Sequence, residues 1–347
     1  MGRSQSTPLV IGEDCAGLFT TSYVLDALGV HANIAFASEK DSALSAHCRP
    51  ELCDNSLMYD DMLKRSPAPP AVHLYTCGFP CQKESTQGTR VFSNRCCHAS
   101  AKYICTYQPL SFALENVVGF LRGNQRKQRF HRLLQKLRRC YNVKYEIVSP
   151  DECCAIPHRR PRVIIVGVRK GTPACTKFDV EWRWPDPVFC PTLDGFLKHG
   201  SPSLRRPSIT QNPKCTSKRN LEKMLGQFKD GSLDKNKPVL IDLASSDGWE
   251  QVSDGTCPCV TKARASSSAF WMIYLQQTQQ WLIDGLTPPM YRLTVDDYAK
   301  LQGFPLSVMS KYGGVKPASL RGALGNAINF ELLKLVIRQL VEMMRAD

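Results

Sequence analysis

Two short apolar runs joined by a helical pattern open the chain, and no other feature narrows its fold as far. Pro8-Leu9-Val10-Ile11-Gly12-Glu13 has the length of a buried strand and turns at Ala16-Gly17 into a helical stretch through Tyr23-Val24-Leu25-Asp26-Ala27-Leu28. Asn33-Ile34-Ala35-Phe36-Ala37-Ser38-Glu39 reads as the second strand, with a further helix from Ser42. Strand, helix and strand in this succession open an α/β fold. Two more apolar runs end in residues capable of chemistry. Ala71-Val72-His73-Leu74-Tyr75 leads into Thr76-Cys77-Gly78-Phe79-Pro80-Cys81-Gln82, and Leu110-Ser111-Phe112-Ala113-Leu114 leads into Glu115-Asn116-Val117. Open α/β sheets bind ligands beyond the carboxyl ends of their strands, which is where Cys81 and Glu115 fall. Glu39 stands about twenty residues past the first turn, the place of a ribose-binding carboxylate in nucleotide-binding folds; a surface glutamate at a strand end fits the spacing equally well.

At 347 residues the chain can bury one good core and carry a second, smaller domain. A formal net charge of +14 favours a polyanionic partner. Nucleic acid comes before a membrane surface, because no basic amphipathic helix with an aromatic face is evident. The longest apolar runs are too short to span a bilayer and no signal-peptide pattern opens the chain, so a soluble, intracellular monomer is expected. The sixteen cysteines are scattered, and neither the doublets Cys96-Cys97 and Cys153-Cys154 nor Cys257-Pro258-Cys259 has a zinc-finger spacing. Reduced thiols and no metal are the reading.

The polar stretch from Gln82 to Arg95 lacks apolar periodicity and directly follows Cys81, the position of a lid. Residues 125–140 predict a strongly basic helix with an apolar seam at Phe130, Leu133, Leu134 and Leu137, read as a surface helix covering the sheet in preference to a DNA-docking helix. Strands are expected at Lys144–Val148 and Arg162–Val168. From Thr172 to Pro289 the texture turns to Pro, Gly, Ser, Lys and Trp, and that stretch holds all five tryptophans. The expected organisation is a first domain over residues 1–171, a second over 172–289, and a returning segment over 290–347 that ends in a helix.

Five separated stretches, in this order, resemble the cytosine-C5 DNA methyltransferase family. They are Phe79-Pro80-Cys81-Gln82, Glu115-Asn116-Val117, Pro157 to Val168, Arg292 to Pro305, and Gly325-Asn326-Ala327-Ile328. The likeness runs from Pro8 to Val341 outside a variable middle section. It implies a Rossmann-like methyltransferase sheet with helices on both faces, S-adenosylmethionine as methyl donor, and a smaller, irregular target-recognition domain. By position, Ala16 and Gly17 would face the methionine part of the cofactor, Glu39 the ribose and Asp61 the adenine amino group. Pro80, Asn326 and Ala327 would complete the pocket. Family members usually show Asp-x-Phe-Ala-Gly-x-Gly-Gly where this chain has Glu13-Asp14-Cys15-Ala16-Gly17-Leu18-Phe19-Thr20. Cys15 thus replaces a stacking aromatic, and Leu18 or Phe19 would compensate.

Cytosine C5 is a poor nucleophile, and attack of a thiolate on C6 turns the ring into an enamine whose C5 can take a methyl group. Cys81 is the candidate nucleophile. Glu115 is the candidate acid near ring N3, a desolvated carboxyl that holds a proton near neutral pH. Arg160 and Arg162 alternate with apolar residues entering a strand, so both are expected on one face; in the resembling family, arginines of this motif contact the target base. His158 takes the place of the usual glutamine. Gln82, Ser85, Asn116 and Arg292 are the other substrate contacts implied.

The target base must leave the helical stack to reach Cys81, and the second domain would read sequence, with Lys214, Lys218, Arg219, Lys262 and Arg264 as candidates. DNA is the expected substrate, with a nuclear location if the source is eukaryotic and a cytoplasmic one otherwise. RNA is the alternative, because Cys259-Val260-Thr261 is similar to a short Cys-Phe-Thr stretch of the tRNA-methylating branch. A silent nucleic-acid-binding relative is the third reading, motivated by the altered first motif.

Overall fold

Seven strands form one sheet: β1 (Leu9–Asp14), β2 (Ala32–Ser38), β3 (Leu57–Tyr59), β4 (Leu74–Cys77), β5 (Ser111–Val117), β6 (Tyr141–Val148) and β7 (Arg162–Arg169). Their order is β3-β2-β1-β4-β5-β7-β6. β7 is antiparallel to both its neighbours, while the pairs among β1 to β5 are parallel. The computed structural model describes residues 7–48, 55–80, 95–197, 216–232, 239–243, 252–267, 270–273 and 290–345. Chain contacts divide it into two units. The first comprises Met1–Val148, Pro161–Asp186 and Ala327–Asp347, and the second Ser149–Arg160 and Pro187–Asn326.

In the first unit the helices are α1 (Thr20–Ala27), α2 (Ser42–Cys48), α3 (Arg95–Tyr107) and α4 (Asn124–Leu137), then α6 (Pro173–Glu181) and the C-terminal α13 (Phe330–Met344), numbered along the whole chain. Strand alternation explains how they cover both faces. On β5, Phe112 and Leu114 join a buried cluster with Tyr103 and Ile104 of α3 and Phe130, Leu133, Leu134 and Leu137 of α4. Ser111 points the other way, its hydroxyl 3.0 Å from Met344 Sδ of α13. α13 starts where Asn329 Oδ1 accepts the Leu332 N–H at 3.0 Å, and buries Phe330, Leu333, Val336, Ile337 and Leu340 at helical spacing. α6 packs on β7 and on α13. The unit therefore runs on to Asp186, past the change of composition at Thr172.

Two glycines in the strands are explained by rings beside them. Gly12 pairs with Phe36 across β1–β2, and Gly167 with Phe112 across β5–β7. A Cβ at Gly12 would lie 2.3 Å from the Phe36 ring, and one at Gly167 2.4 Å from the Phe112 ring. The aromatic ring occupies the space that a side chain would need.

The second unit carries α5 (Pro150–Cys153), α7 (Leu193–Leu197), α8 (Thr216–Lys229) and α9 (Lys262–Ser266), followed by α10 (Val295–Leu301), α11 (Leu306–Ser310) and α12 (Pro317–Asn326). Its sheet is β11-β10-β8-β9, with β8 at Val239–Asp242, β9 at Val252–Asp254, β10 at Phe270–Ile273 and β11 at Met290–Arg292. All its pairings are antiparallel. Thr294 and Asp297 form a capping box at the start of α10. α12 lies close to α9: a Cβ at Gly325 would come within 2.7 Å of the Thr261 carbonyl, and one at Gly322 within 2.3 Å of Ser266 Oγ. The glycine of Gly325-Asn326-Ala327-Ile328 is thereby a close-approach residue of this unit. Arg264 is ion-paired with buried Asp242, so it fastens α9 to β8 and is not available for groove reading. Lys214 and the Lys218 side chain lie outside the described residues.

Gly167→Ala is expected to lower stability by about 1–3 kcal/mol, because the new methyl group overlaps the Phe112 ring. Thermal unfolding of Gly167→Ala and of Gly167→Ala/Phe112→Leu measures this; the double variant should recover part of the loss.

Candidate active site

The carboxyl ends of β2, β1, β4 and β5 are neighbours, and the order turns outward in both directions from the β1–β4 pair. That switch point is where an open α/β sheet leaves a crevice. Beyond β1 the chain takes left-handed backbone at Cys15 (φ 54°), Gly17 (φ 54°) and Phe19 (φ 53°), costly at the two non-glycine positions. β2 holds this loop in place. The Ala16 N–H donates to Ser38 O at 2.9 Å and the Gly17 N–H to Glu39 Oε2 at 2.8 Å. Glu39 Oε1 accepts the Asp41 N–H at 2.8 Å. Each carboxylate oxygen still has acceptor capacity for a hydroxyl.

Asp61 accepts the Leu63 N–H at 2.9 Å and pairs with Lys40 at 3.2 Å. Burial opposes its ionisation, but that N–H and the lysine charge outweigh it and lower its pKa. Cys15 Sγ lies 3.5 Å from Met62 Sδ, while Leu18 and Phe19 are both fully buried.

Sequence reasoning passed over two buried acids at the end of β1. Glu13 Oε1 accepts the Thr21 N–H at 3.0 Å, and Oε2 is buried without a partner. Burial pushes its pKa up to about 7, against the opposing bonds from Thr21 and Ser22. Asp14 accepts bonds from Ser38 Oγ at 2.7 Å and Tyr75 Oη at 2.6 Å and is ion-paired with Arg65. The sequence signal was present: two consecutive acids close an apolar strand, and alternation cannot expose both from a sheet covered on each face.

At β4 and β5 the site residues converge. Arg162 Nε donates to Glu115 Oε1 at 2.8 Å, and both side chains are about nine-tenths buried. The desolvated carboxyl expected at this strand end is thus paired with an arginine. Asn116 Nδ2 donates to Phe79 O at 3.0 Å, fixing the backbone one residue before Pro80. A Cβ at Gly78 would lie 3.6 Å from Glu115 Oε2 and 3.4 Å from Ile328, so the chain approaching Cys81 passes directly over the carboxylate. Cys81, Gln82, Ser85 and the rest of the expected lid up to residue 94 lie outside the described residues.

Arg160 and Arg162 do not share a face. β7 begins at Arg162, and Arg160 belongs to the second unit. There its buried guanidinium donates to Val260 O at 2.7 Å and Gly325 O at 3.1 Å. His158, also fully buried, accepts the Val260 N–H at Nε2 (3.1 Å), which places the ring proton on Nδ1, donated to Leu301 O at 2.9 Å. In the position usually held by glutamine, histidine ties three segments of the second unit together. Arg292 is exposed and donates to Ser267 O at 3.0 Å. Asn326 is exposed at the end of α12, and Ala327 is buried.

The strand order, with its antiparallel seventh strand, defines an α/β methyltransferase fold. It is similar to Dnmt2 methyltransferase of S. pombe, with a TM-score of 0.60 and 17% identity over 97% of this chain and 99% of that one. It also resembles the methyltransferase EhMeth of Entamoeba histolytica, with a TM-score of 0.63 and 13% identity over 98% and 99% of the two chains. In sequence it is 26% identical to the Type II methyltransferase M.MthTI of Methanothermobacter thermautotrophicus, over 78% of this chain and 79% of that protein. The model of the C-5 cytosine-specific DNA methylases matches residues 15–342, and the chain belongs to that family.

Two outcomes follow from this geometry. Glu13 has a folded pKa raised from 4.5 to about 7, so its stabilising neutral form is fully present below pH 4.5 and lost as pH rises through 7. The stability of Glu13→Gln relative to the natural protein should therefore grow by up to about 3 kcal/mol between pH 4.5 and 8, read by chemical denaturation across that range. Arg162→Ala should cost about 3 kcal/mol by leaving Glu115 buried and unpaired. Arg162→Met/Glu115→Met should regain most of that stability but no activity, compared in the same assays.

Proposed function

We propose that this protein transfers a methyl group from S-adenosylmethionine to C5 of cytosine in DNA, through a covalent bond between Cys81 and ring C6. The observation that carries the reading is the Glu115–Arg162 pair beneath the Gly78-Phe79-Pro80 backbone, three residues before Cys81. A cytosine drawn out of its stack is the form of the base that the carboxyl and the nucleophile can act on.

The residues present fit the cofactor in part. Glu39 offers acceptors for ribose hydroxyls, and Asp61 is an ionised acceptor for an amino group. The unpartnered, buried Glu13 Oε2 suits the polar end of such a molecule. When bound, S-adenosylmethionine supplies an electrophilic methyl group. The protein's own part is to make cytosine C5 nucleophilic. The Cys81 thiolate forms the S–C6 bond and the displaced electron pair makes C5 an enamine carbon, while N3 takes a proton that the Glu115 carboxylate has first picked up from solvent on entry of the base. Arg162 holds the Glu115 carboxyl in place throughout. After methyl transfer, loss of the C5 proton to a base expels the thiolate, N3 returns its proton to Glu115, and the aromatic ring is restored. Asn116 keeps the backbone before Cys81 in register with Glu115.

RNA is a second reading, favoured by one feature. Cys259-Val260-Thr261, similar to the tRNA branch's short stretch, is held by Arg160 and His158 through both backbone groups of Val260.

Covalent trapping tests both. The protein is mixed with S-adenosylmethionine and either duplex DNA or tRNA carrying 5-fluorocytosine, and run on a denaturing gel. Fluorine at C5 cannot leave as a proton, so the adduct persists. A shifted band with DNA, absent in Cys81→Ala, is the expected result. A band with tRNA alone moves the substrate to RNA. No band with either, in folded protein, sinks Cys81 as nucleophile and favours a silent binder.

A further inference from the structure

The basic helix α4 lies on a face of the first unit, and nothing in the strand-end chemistry uses its outer surface. Between Glu115 and Glu146 the chain has nine Lys and Arg and no Asp or Glu. Phe130, Leu133, Leu134 and Leu137 are buried; Arg132 lies on the side opposite this seam, and Lys127 and Arg138 lie at its two ends, all three exposed, with exposed His131 and Arg139 beside them. Lys127 to Arg138 is three helical turns, about 16 Å. Lys170 Nζ donates to Arg138 O at 2.7 Å, bringing another cation to the far end.

A solvated helix ordinarily intersperses acids among its cations. Other helices of this unit do so: Lys177 pairs with Glu181 at 3.8 Å on α6, and Lys334 with Glu331 at 3.0 Å on α13. Among the described residues Lys127, Arg132 and Arg138 have no acidic partner. The arrangement weakens the helix. Its first turn holds no acid and carries Lys127 against the positive end of the dipole, and Arg132 repels Lys136 one turn on. Solubility alone needs neither feature.

We propose that the exposed face of α4 docks the phosphodiester backbone of the nucleic acid, away from the target base. The inference rests on the reading that the substrate is nucleic acid and adds where its flanking part is held. A duplex carries one negative charge per about 1.7 Å of axis, so three cations spread along α4 meet phosphates without reading any base. The contact raises affinity and leaves sequence preference alone.

The test is Lys127→Glu/Arg132→Glu/Arg138→Glu in the full chain, with Lys127→Arg/Arg132→Lys/Arg138→Lys as the charge-preserving control. Circular dichroism checks folding, and a Gln triple replaces the Glu triple if the helix is lost. Fluorescence anisotropy follows binding to a long duplex DNA and to tRNA across a salt series, and methylation is measured separately. The Glu triple should bind at least about tenfold more weakly at low salt, with a log–log salt slope smaller by about three, as loss of three phosphate contacts requires. KM should rise with kcat at saturation unchanged, and the control should behave as the natural protein. Whichever nucleic acid shows the loss identifies the docked backbone. Unchanged affinity and slope overturn the proposal, as does loss of binding to anionic vesicles with nucleic-acid binding intact. Charge-dependent binding in a protein that methylates nothing upholds the docking face and sinks the methyl-transfer reading.

Discussion

The ion pair between Arg162 and Glu115 depends on one topological choice. Because β7 runs antiparallel to β5, the start of β7 lies against the carboxyl end of β5, and Val117 pairs with Arg162. A parallel strand in that slot would deliver its first residue to the opposite edge of the sheet. The inverted strand therefore places a cation among the strand-end carboxylates without any long loop. Once Glu115 is buried there it needs that cation, since an unpaired charge in the interior costs several kcal/mol. The Gly78 backbone then passes between the paired carboxylate and Ile328, and Asn116 holds Phe79 O one residue on.

The loop after β1 obeys a related constraint. Two non-glycine residues hold left-handed backbone where the family usually has Phe and Gly, and Glu39 restrains the loop from the neighbouring strand. Glu39 thus serves the loop before it can serve any ribose. The unpartnered oxygen of Glu13 lies next to this strained turn, so polarity and backbone strain are concentrated at the same rim.

Much of this could be read from the sequence. The strands β1, β2 and β4 to β7, the surface helix with its seam from Phe130 to Leu137, and the strand-end placement of Glu39 and Glu115 follow from period and punctuation, which are local properties. What escaped was set by non-local partners. Alternation put Arg160 and Arg162 on one face, but a residue outside the strand is not bound by strand alternation, and Arg160 found carbonyl groups a hundred and more positions away. Burial of His158 depends on Val260 and Leu301, which no local pattern connects with it. The packing of α6 onto α13 is likewise invisible to composition, which registers only the proline-rich texture around it.

The two glycine–phenylalanine pairs also constrain how this chain can change. At Gly12–Phe36 and Gly167–Phe112 one partner has no side chain because the other fills its space. A larger residue at the glycine is tolerated only after the ring has shrunk, whereas losing the ring first leaves a cavity that the glycine cannot fill. Mutational paths across these positions therefore run in one order, ring before glycine, through a less stable intermediate. Homologues that differ there should differ at both members of a pair.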